Sequence, residues 1–203
     1  MGSEKARAEV REMTRWEIIN RIIADRGYRS FLEIGTQYGA TFTRVDVPVK
    51  VSVDPDPRTA ATYIMTSDEY FKEHREKFDI VFVDGLHECG QAYRDVMNAL
   101  EILNKGGVIV MHDCHPTDRQ MQEPYCGQYF WTGDVWKAFV MLRGTLAHEM
   151  YVIDQDFGCG IIDTAKRRKK KPEGLPADMK DMTYEDFVDH PEWMDFRTEW
   201  RNG

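Results

Sequence analysis

The feature that most constrains the fold of this chain is the alternation of short apolar runs with helical stretches. The runs are almost continuously apolar, which is typical of strands that are buried on both faces of a sheet. A strand followed by a helix, repeated along the chain, predicts a parallel sheet with helices on both faces. The predicted strands in this part of the chain are 30–34, 49–53, 61–65, 78–83 and 108–111.

Helical spacing of apolar residues marks the segments between these runs. It predicts an N-terminal helix, which Gly27 would end, and three later helices. Two further strands are joined by a tight turn at 156–158. Together these elements predict a Rossmann-like, doubly wound, mostly parallel seven-stranded sheet. The predicted helices are 4–26, 67–76, 88–103 and 135–142, and the two further strands are 148–153 and 158–162.

Charge is distributed unevenly along the 203 residues, which carry 27 basic and 35 acidic side chains and a net charge of -8. An acidic body argues against a nucleic-acid partner. The basic run 166–171 is typical of a solvated segment, and it separates a predicted domain, 1–165, from a tail, 166–203. We expect the acidic half of the tail to fold back on the domain through Trp193, Phe196 and Trp200.

The cellular location follows from cysteine spacing and hydropathy. The four Cys residues include no CxxC pair, which argues against a disulfide framework or a zinc ribbon. No apolar run reaches about 18 residues, so no membrane span is expected. The sequence therefore predicts a cytoplasmic protein.

A glycine-bearing loop follows the first strand, with Gly35 and Gly39 four positions apart. Ligands of open parallel sheets bind beyond the carboxyl ends of the strands, where glycine lets the backbone turn sharply and approach a ligand. The spacing is not the GxGxxG fingerprint of dinucleotide binding. Asp54 ends the next strand, where its carboxylate could accept hydrogen bonds from ribose hydroxyls.

The segment Glu33-Ile34-Gly35-Thr36-Gln37-Tyr38-Gly39, followed by Asp54, resembles the S-adenosylmethionine site of class I methyltransferases. Segments 65–69, 78–87 and 103–113 are similar to the small-molecule branch that includes macrolide-sugar O-methyltransferases. The resemblance covers about 30–162. It implies a Rossmann-like fold, S-adenosylmethionine as cofactor, and methyl transfer to a hydroxyl of a small molecule such as a sugar or natural product.

The resemblance also implies roles for individual residues. It places the glycine loop near the methionine part of the cofactor, Asp54 on the ribose, and Asp84 facing the sulfonium. Only ten residues separate Gly39 from Lys50, so the helix after the glycine loop should have only one or two turns. The implied cofactor-binding residues are Glu33, Gly35, Thr36, Tyr38, Gly39, Asp54, Ser67, Asp68 and Asp84.

A second group of polar residues ends the two strands that follow. His87 is the candidate general base, since an unperturbed imidazole titrates near ~6.5, and Asp84 and Asp113 would orient the acceptor. In metal-dependent relatives, carboxylates at these strand ends hold a divalent cation. Asp84, Asp113 and His112 are the candidate ligands, but an imidazole in place of an oxygen ligand suits Mg²⁺ poorly, so a metal requirement stays open.

Several alternatives remain at this stage. The acceptor could be a nitrogen or a carboxylate, the fold could be a non-catalytic ligand-binding module, or a metal could support different chemistry such as hydroxylation. We expect the 118–132 segment to form a lid. Its aromatic residues, with Trp136, could line an acceptor pocket or belong to the core, and the N-terminal helix could serve a homodimer.

Overall fold

The computed structural model describes residues 12–123, Tyr125 and 130–201. The helices are α1 Arg15–Arg26, α2 Ser67–Glu73, α3 Cys89–Glu101, α4 Val135–Thr145 and α5 Tyr184–Asp189, with short 3₁₀ turns at Arg119–Gln122, Met179–Asp181 and Pro191–Trp193. The strands are β1 Ser30–Ile34, β2 Val49–Val53, β3 Phe78–Val83, β4 Leu103–Met111, β5 His148–Ile153, β6 Cys159–Arg167 and β7 Phe196–Arg197.

The strands of the described residues form one sheet in the order β2-β1-β3-β4-β6-β5-β7. Only β6 runs antiparallel to its neighbours β4 and β5, and the other pairs are parallel. The chain leaves β1 towards β2 and returns to β3 on the other side of β1, which creates a switch point between β1 and β3. The prediction of a Rossmann-like, mostly parallel seven-stranded sheet is confirmed.

Helices cover both faces of the sheet, as predicted. On one face, the isoleucines of α1 pack against Phe31, Phe82 and Val110 of the central strands. On the other face, α3 and α4 pack against alternate residues of the same strands, including Val83 and Met111. Nearly every residue of β3 is buried, which explains why the strands read as continuous apolar runs.

The predicted strand at 61–65 is wrong. Only Tyr63 pairs with the sheet, through an isolated bridge to Val53. Beside that bridge, the backbone N–H of Ser52 donates to the hydroxyl of Thr62, and the N–H of Thr62 lies 3.1 Å from the Ser52 hydroxyl. These side-chain hydrogen bonds replace the ladder that a strand would need. The seventh strand is instead β7, which the tail contributes beside β5.

The N-terminal helix begins later than predicted. Among the described residues, 12–14 are not helical, and α1 begins at Arg15. The Glu17 carboxylate accepts hydrogen bonds from the backbone N–H and the hydroxyl of Thr14, each at 2.9 Å, which fixes the start of the helix. Gly27 ends α1 at φ 66°, as predicted. The rest of the predicted span, 4–11, lies outside the described residues.

The tail packs on the domain through its aromatic residues, as expected. Trp193 and Trp200 are 2% and 7% exposed, and Phe196 belongs to β7. The guanidinium of Arg26 lies 5.3 Å from the centre of the Trp200 ring. The division of the chain at 165 and 166 stays a prediction, and β6 runs on to Arg167. No helix within the described residues combines the length and apolar character needed to cross a bilayer.

Candidate active site

The candidate site lies at the carboxyl ends of three adjacent strands. Ile34 pairs with Val83, and Val83 pairs with Met111. The next residue of each strand therefore falls in one row, and these residues are Gly35, Asp84 and His112. Backbone hydrogen bonds hold the row, because the N–H of Asp84 donates to Ile34 at 2.9 Å and that of His112 to Val83 at 3.0 Å. The register of the sheet brings the two predicted groups of residues together.

The glycine loop is tightly shaped at its first glycine. Gly35 has φ +87°, and a Cβ at this position would overlap the carbonyl oxygen of Asp84. Only glycine can therefore occupy this position without moving the strand tip. The chain after Gly39 forms a single turn, in which the N–H groups of Thr43 and Val45 donate to Gly39 and Thr41. This turn agrees with the short connection that the sequence predicts.

Asp54 holds the glycine loop from the neighbouring strand. Its Oδ2 accepts hydrogen bonds from the backbone N–H groups of Thr36 and Gln37, at 2.9 and 2.8 Å, and its Oδ1 accepts one from Asp56 at 2.9 Å. The Asp54 carboxylate is 8% exposed and occupied mainly with backbone donors. Its observed role is to fix the loop, and contact with a ribose stays a prediction.

Two buried oxygen atoms beside the loop have no hydrogen-bond partner. They are Oε2 of Glu33 and Oγ1 of Thr36, on side chains that are 1% and 5% exposed. Burial and the nearby Asp84 carboxylate raise the pKa of Glu33 to about 9. Unsatisfied buried polar atoms are rare in folded proteins. A ligand with an ammonium group and a carboxylate would supply their missing partners, so these residues fit the methionine part of S-adenosylmethionine.

The other residues predicted to bind cofactor are dispersed around the loop. The side chain of Tyr38 is 93% exposed. Ser67 and Asp68 lie in the first turn of α2, where the Nε2 of Gln91 is 3.2 Å from an oxygen of each. The same nitrogen donates to the buried carboxylate of Asp95 at 2.9 Å. Contact of Tyr38, Ser67 or Asp68 with a cofactor stays a prediction.

Asp84, His87, His112 and Asp113 meet at the edge of the sheet, and we call them the strand-tip cluster. Nε2 of His87 lies 3.5 Å from Oδ1 of Asp84 and 3.2 Å from Oδ2 of Asp113. Nδ1 of His112 lies 3.4 Å from Asp84 and 3.2 Å from Asp113. Two carboxylates thus face two imidazoles, as the sequence analysis expects for neighbouring strand tips.

Mutual attraction controls the charge of the strand-tip cluster. Burial alone would raise the pKa of Asp84, but the adjacent His112 and His87 lower it below the usual range. Burial would lower the pKa of His112, yet Asp113 and Asp84 raise it well above the ordinary value. The pKa of His87 is raised in the same way, by Asp84 and Asp113 against its own desolvation. Opposite charges this close favour the charged form of each group.

A loop residue orients His87 from the other side. Nδ1 of His87 lies 3.2 Å from the backbone oxygen of Trp131, and the two rings stack with their centres 4.9 Å apart. Gly133 has φ +58°, and a Cβ there would overlap the carbonyl oxygen of His87. The end of the predicted lid therefore rests directly on His87. Trp136 is core, Phe130 is 55% exposed, and Tyr129 lies outside the described residues.

The donor set of the strand-tip cluster fits a divalent metal ion. One ligand atom each from Asp84, His87 and Asp113 lies within 4.8 Å of the others. Two carboxylates and an imidazole suit Mn²⁺, Fe²⁺ or Zn²⁺ better than Mg²⁺, which prefers oxygen ligands. This set contains His87, which the sequence analysis treats only as a base, and it does not include His112.

Two site residues escaped the sequence analysis. Arg15 begins α1, and its Nη1 lies 3.3 Å from Oδ1 of Asp156 in the turn between β5 and β6. Nε of Arg15 lies 3.8 Å from Oδ2 of Asp84, and Nε2 of His112 lies 3.5 Å from Oδ1 of Asp156. The sequence does predict the tight turn, but aspartate is ordinary in turns. Nothing local connects it to a residue 141 positions earlier.

A cavity of about 370 Å³ has Asp156, the neighbour of His112 in the strand-tip cluster, on one wall. It lies between the start of α1, the chain after β4 and the β5–β6 turn, and its walls include Thr14, His115, Asp156 and Phe157. Its volume falls in the range of small-molecule sites. His115 makes a short contact with Asp154 on one wall, and Asp156 separates the cavity from His112.

A Rossmann-like sheet with a glycine loop and an acidic, imidazole-bearing cluster at the next strand tips resembles the architecture of class I methyltransferases. Residues 32–114 match the family model described as a methyltransferase domain. The matched stretch runs from β1 to just beyond β4 and contains the glycine loop and the strand-tip cluster. No curated protein sequence matches the chain.

Solved structures support the same fold. An O-methyltransferase from Bacillus cereus, in complex with SAH, is 13% identical, with 73% of this chain and 80% of that chain covered and a TM-score of 0.55. The SAH-bound methyltransferase PaMTH1 from Podospora anserina is 17% identical, with 76% and 78% covered and a TM-score of 0.57. The O-methyltransferase TomG from Streptomyces achromogenes, in complex with SAM, is 17% identical, with 73% and 79% covered and a TM-score of 0.54. At these identities the likeness establishes the fold.

Proposed function

We propose that the protein is an S-adenosylmethionine-dependent methyltransferase that acts on a hydroxyl of a small molecule, such as a sugar or a natural-product ring. The observation that carries this proposal is the position of the strand-tip cluster beside the glycine loop. The buried, unpartnered oxygens of Glu33 and Thr36 support a ligand with an ammonium group at the loop. The solved relatives that contain SAH or SAM support the identity of that ligand.

S-adenosylmethionine supplies a methyl group on a sulfonium centre when it is bound. The protein then has to hold the acceptor in line at about 3–3.5 Å and remove its proton. The neutral form of His87 takes this proton at Nε2, while the hydrogen bond from Nδ1 to the Trp131 carbonyl fixes the tautomer of that form. Asp84 and Asp113 lie beside Nε2, and their negative charges stabilise the imidazolium that forms.

The cavity beside Asp156 supports a small acceptor. It lies at the same edge of the sheet as the strand-tip cluster, and Phe157 offers an aromatic face that suits rings and sugars. The free thiols of Cys89, Cys114 and Cys159 are compatible with a reducing compartment, so a cytoplasmic location remains part of the proposal. A homodimer stays a prediction.

Calorimetry with S-adenosylhomocysteine tests the cofactor. We expect saturable binding below about 1 mM, and its absence would remove the basis of the proposal. Turnover on a panel of sugars and phenols, with labelled S-adenosylmethionine, tests the reaction. His87→Ala should reduce turnover by about 100-fold or more, while the exposed His190→Ala serves as the matched control. Full activity of His87→Ala would favour methylation of a nitrogen or carboxylate, which needs no such base.

A metal-assisted form of the same reaction is the second candidate. Its support is the convergence of ligand atoms from Asp84, His87 and Asp113 within 4.8 Å. An ion held there would lower the pKa of the acceptor hydroxyl. Turnover after dialysis against a chelator, with and without added Mn²⁺, Fe²⁺ or Zn²⁺, separates the candidates. Loss of turnover that one of these ions restores supports the metal, and unchanged turnover supports His87 as the sole base.

A further inference from the structure

The start of α1 and the β5–β6 turn are joined by an unusual set of hydrogen bonds. The carboxylate of Asp156 accepts from the backbone N–H of Arg15 at 2.6 Å, and the Glu12 carboxylate accepts from the backbone N–H of Asp156 at 2.9 Å. The side-chain oxygen of Gln155 accepts from Met13 at 2.5 Å. Each bond closes a separation of about 140 residues, so the turn holds the start of the helix in one place.

Arg15 is a poor choice for the first position of a helix unless a carboxylate lies nearby. A cation in the first turn opposes the positive end of the helix dipole. Asp156 offsets this cost, because its carboxylate contacts both the backbone N–H and the guanidinium of Arg15. The pKa of Arg15 is raised by Asp84 and Asp156 despite the desolvation of the guanidinium. The arginine is therefore held as a partly buried cation with fixed partners.

The guanidinium of Arg15 reaches three parts of the candidate site. Nε donates to the hydroxyl of Thr41 at 3.0 Å, in the turn that follows the glycine loop. The same atom lies 3.8 Å from Asp84, and Nη1 contacts Asp156. Planar, branched donors make arginine suited to such shared contacts, whereas lysine offers a point charge.

Asp156 makes the second connection, to the strand-tip cluster. Its Oδ1 is the carboxylate atom that faces Nε2 of His112 at 3.5 Å, while Nδ1 of the same ring faces Asp84 and Asp113. Neither nitrogen of His112 has a well-formed hydrogen bond, and the ring is 5% exposed. Carboxylates on both sides therefore set the orientation of this buried ring.

The backbone of the turn is strained to present Asp156. Asp156 and Phe157 have φ 49° and 59°, a region that costs a bulky side chain free energy and persists only where surrounding contacts demand it. Gly158, which follows, has φ +84°, and a Cβ there would collide with His115. The conformation is thus fixed by packing beneath the turn and by α1 above it.

We propose that Asp156 and Arg15 are positioning residues of the methyltransferase, which orient His112 and Asp84 from outside the 32–114 segment. The inference rests on the proposed function only for its effect on turnover. Asp156 holds the His112 ring against the carboxylates of Asp84 and Asp113. Arg15 fixes Asp84 relative to the turn after the glycine loop. Neither residue touches the acceptor hydroxyl or takes its proton.

The decisive variant is Asp156→Asn, which keeps the size of the side chain and removes its charge. Asp195→Asn is the matched control, since Asp195 also lies at positive φ, 52°, and pairs with Arg197 and Arg143 away from the site. We expect Asp156→Asn to lower kcat about tenfold or more, with acceptor KM and the Kd of S-adenosylhomocysteine within about twofold of wild type. The control should change none of these values.

A spectroscopic readout keeps the inference separate from catalysis. The chain has six histidines, and His112→Gln identifies the imidazole ¹⁵N signals of His112 by their loss. Asp156→Asn should shift the Nδ1 and Nε2 signals of His112, and Asp195→Asn should leave them in place. If the wild type shows no methyl transfer, the proposed function fails, but these signals still decide whether Asp156 positions His112.

Arg15→Lys and Asp156→Glu provide the second test, and they decide the matter if Asp156→Asn does not fold. Arg15→Lys keeps a cation but loses the branched donor, so we expect a lower kcat and an unchanged stability profile in urea. Asp156→Glu keeps the carboxylate and should retain the His112 signals better than asparagine does. Wild-type kcat and wild-type His112 signals in both Asp156→Asn and Arg15→Lys would overturn the inference, as would equal effects in the Asp195→Asn control.

Discussion

The buried carboxyl group of Glu33 should make the protein less stable as pH rises. Its pKa is raised from an ordinary 4.5 to about 9, so at neutral pH the folded chain keeps this proton while the unfolded chain has lost it. Stability is then complete below the unfolded pKa and decreases as pH rises towards the folded pKa. Each pH unit in this window costs about 1.4 kcal/mol.

Glu33→Gln removes this dependence because glutamine is neutral in both states. The interval from the unfolded pKa of 4.5 to pH 7 is about 2.5 pH units. Over this interval the free energy of unfolding of the wild type falls by about 3 kcal/mol. The variant should therefore exceed the wild type by about 3 kcal/mol near neutral pH and match it near about pH 4. The side chain is 1% exposed, so solvent screening does little to reduce the effect.

Urea unfolding at several pH values measures the difference directly. Glu101→Gln is the control, because Glu101 is an exposed glutamate at the end of α3 and its variant should follow the wild type at every pH. The same Glu33→Gln protein should bind S-adenosylhomocysteine more weakly, since the ligand's ammonium group loses an ionisable partner. Parallel pH profiles for wild type and Glu33→Gln would refute the reasoning, because the carboxyl group would then titrate normally.

Three further predictions concern the glycine loop, α3 and the tail. Gly35→Ala should lose about 3 kcal/mol or more in urea unfolding and lose S-adenosylhomocysteine binding, because the added methyl meets Asp84; normal binding would contradict this. Asp95→Asn should stabilise the protein by up to about 3 kcal/mol near about pH 8 and not near about pH 3, since burial raises the pKa of Asp95 to about 6; an equal gain at both pH values would point to another cause. Trp200→Ala should cost about 3 kcal/mol, as a buried ring between Arg26 and Lys166 is removed, and unchanged urea unfolding would show that the tail packs independently of the domain.

The central strands are predictable because burial on both faces leaves a simple pattern. The central strands β1 and β3 have the predicted bounds because each is an almost continuously apolar run, and β2 and β5, nearer the edges of the sheet, also have them. The 61–65 run has the same composition but lies beyond the edge strand β2. Thr62 and Ile64 are exposed there, and hydrogen bonds between Thr62 and Ser52 end the pairing after one bridge. Composition alone does not distinguish a segment at the edge of the sheet from a central strand.

The sequence predicts only those residues of the site that lie at the ends of strands. Asp84, His87 and Asp113 belong to the tips of neighbouring strands, so the predicted sheet brings them together without further information. Arg15 and Asp156 meet because a helix start and a hairpin turn pack against each other, which depends on tertiary structure. Their individual residue types are ordinary for a helix and a turn, so no local signal marks them.

Backbone strain and unsatisfied polar atoms concentrate around the same site. Among the described residues, five non-glycine positions have positive φ, and four of these border the site: Gln37, Asp113, Asp156 and Phe157. Such conformations cost about 1–3 kcal/mol each, and the buried Glu33 carboxyl adds its own cost. Burial of the sheet offsets these costs in free energy. Such departures from local conformational and burial preferences are expected at functional sites. The rest of the fold therefore maintains the conformations of the glycine loop, the strand-tip cluster and the β5–β6 turn. Substitutions that relieve the strain should raise the free energy of unfolding and lower turnover.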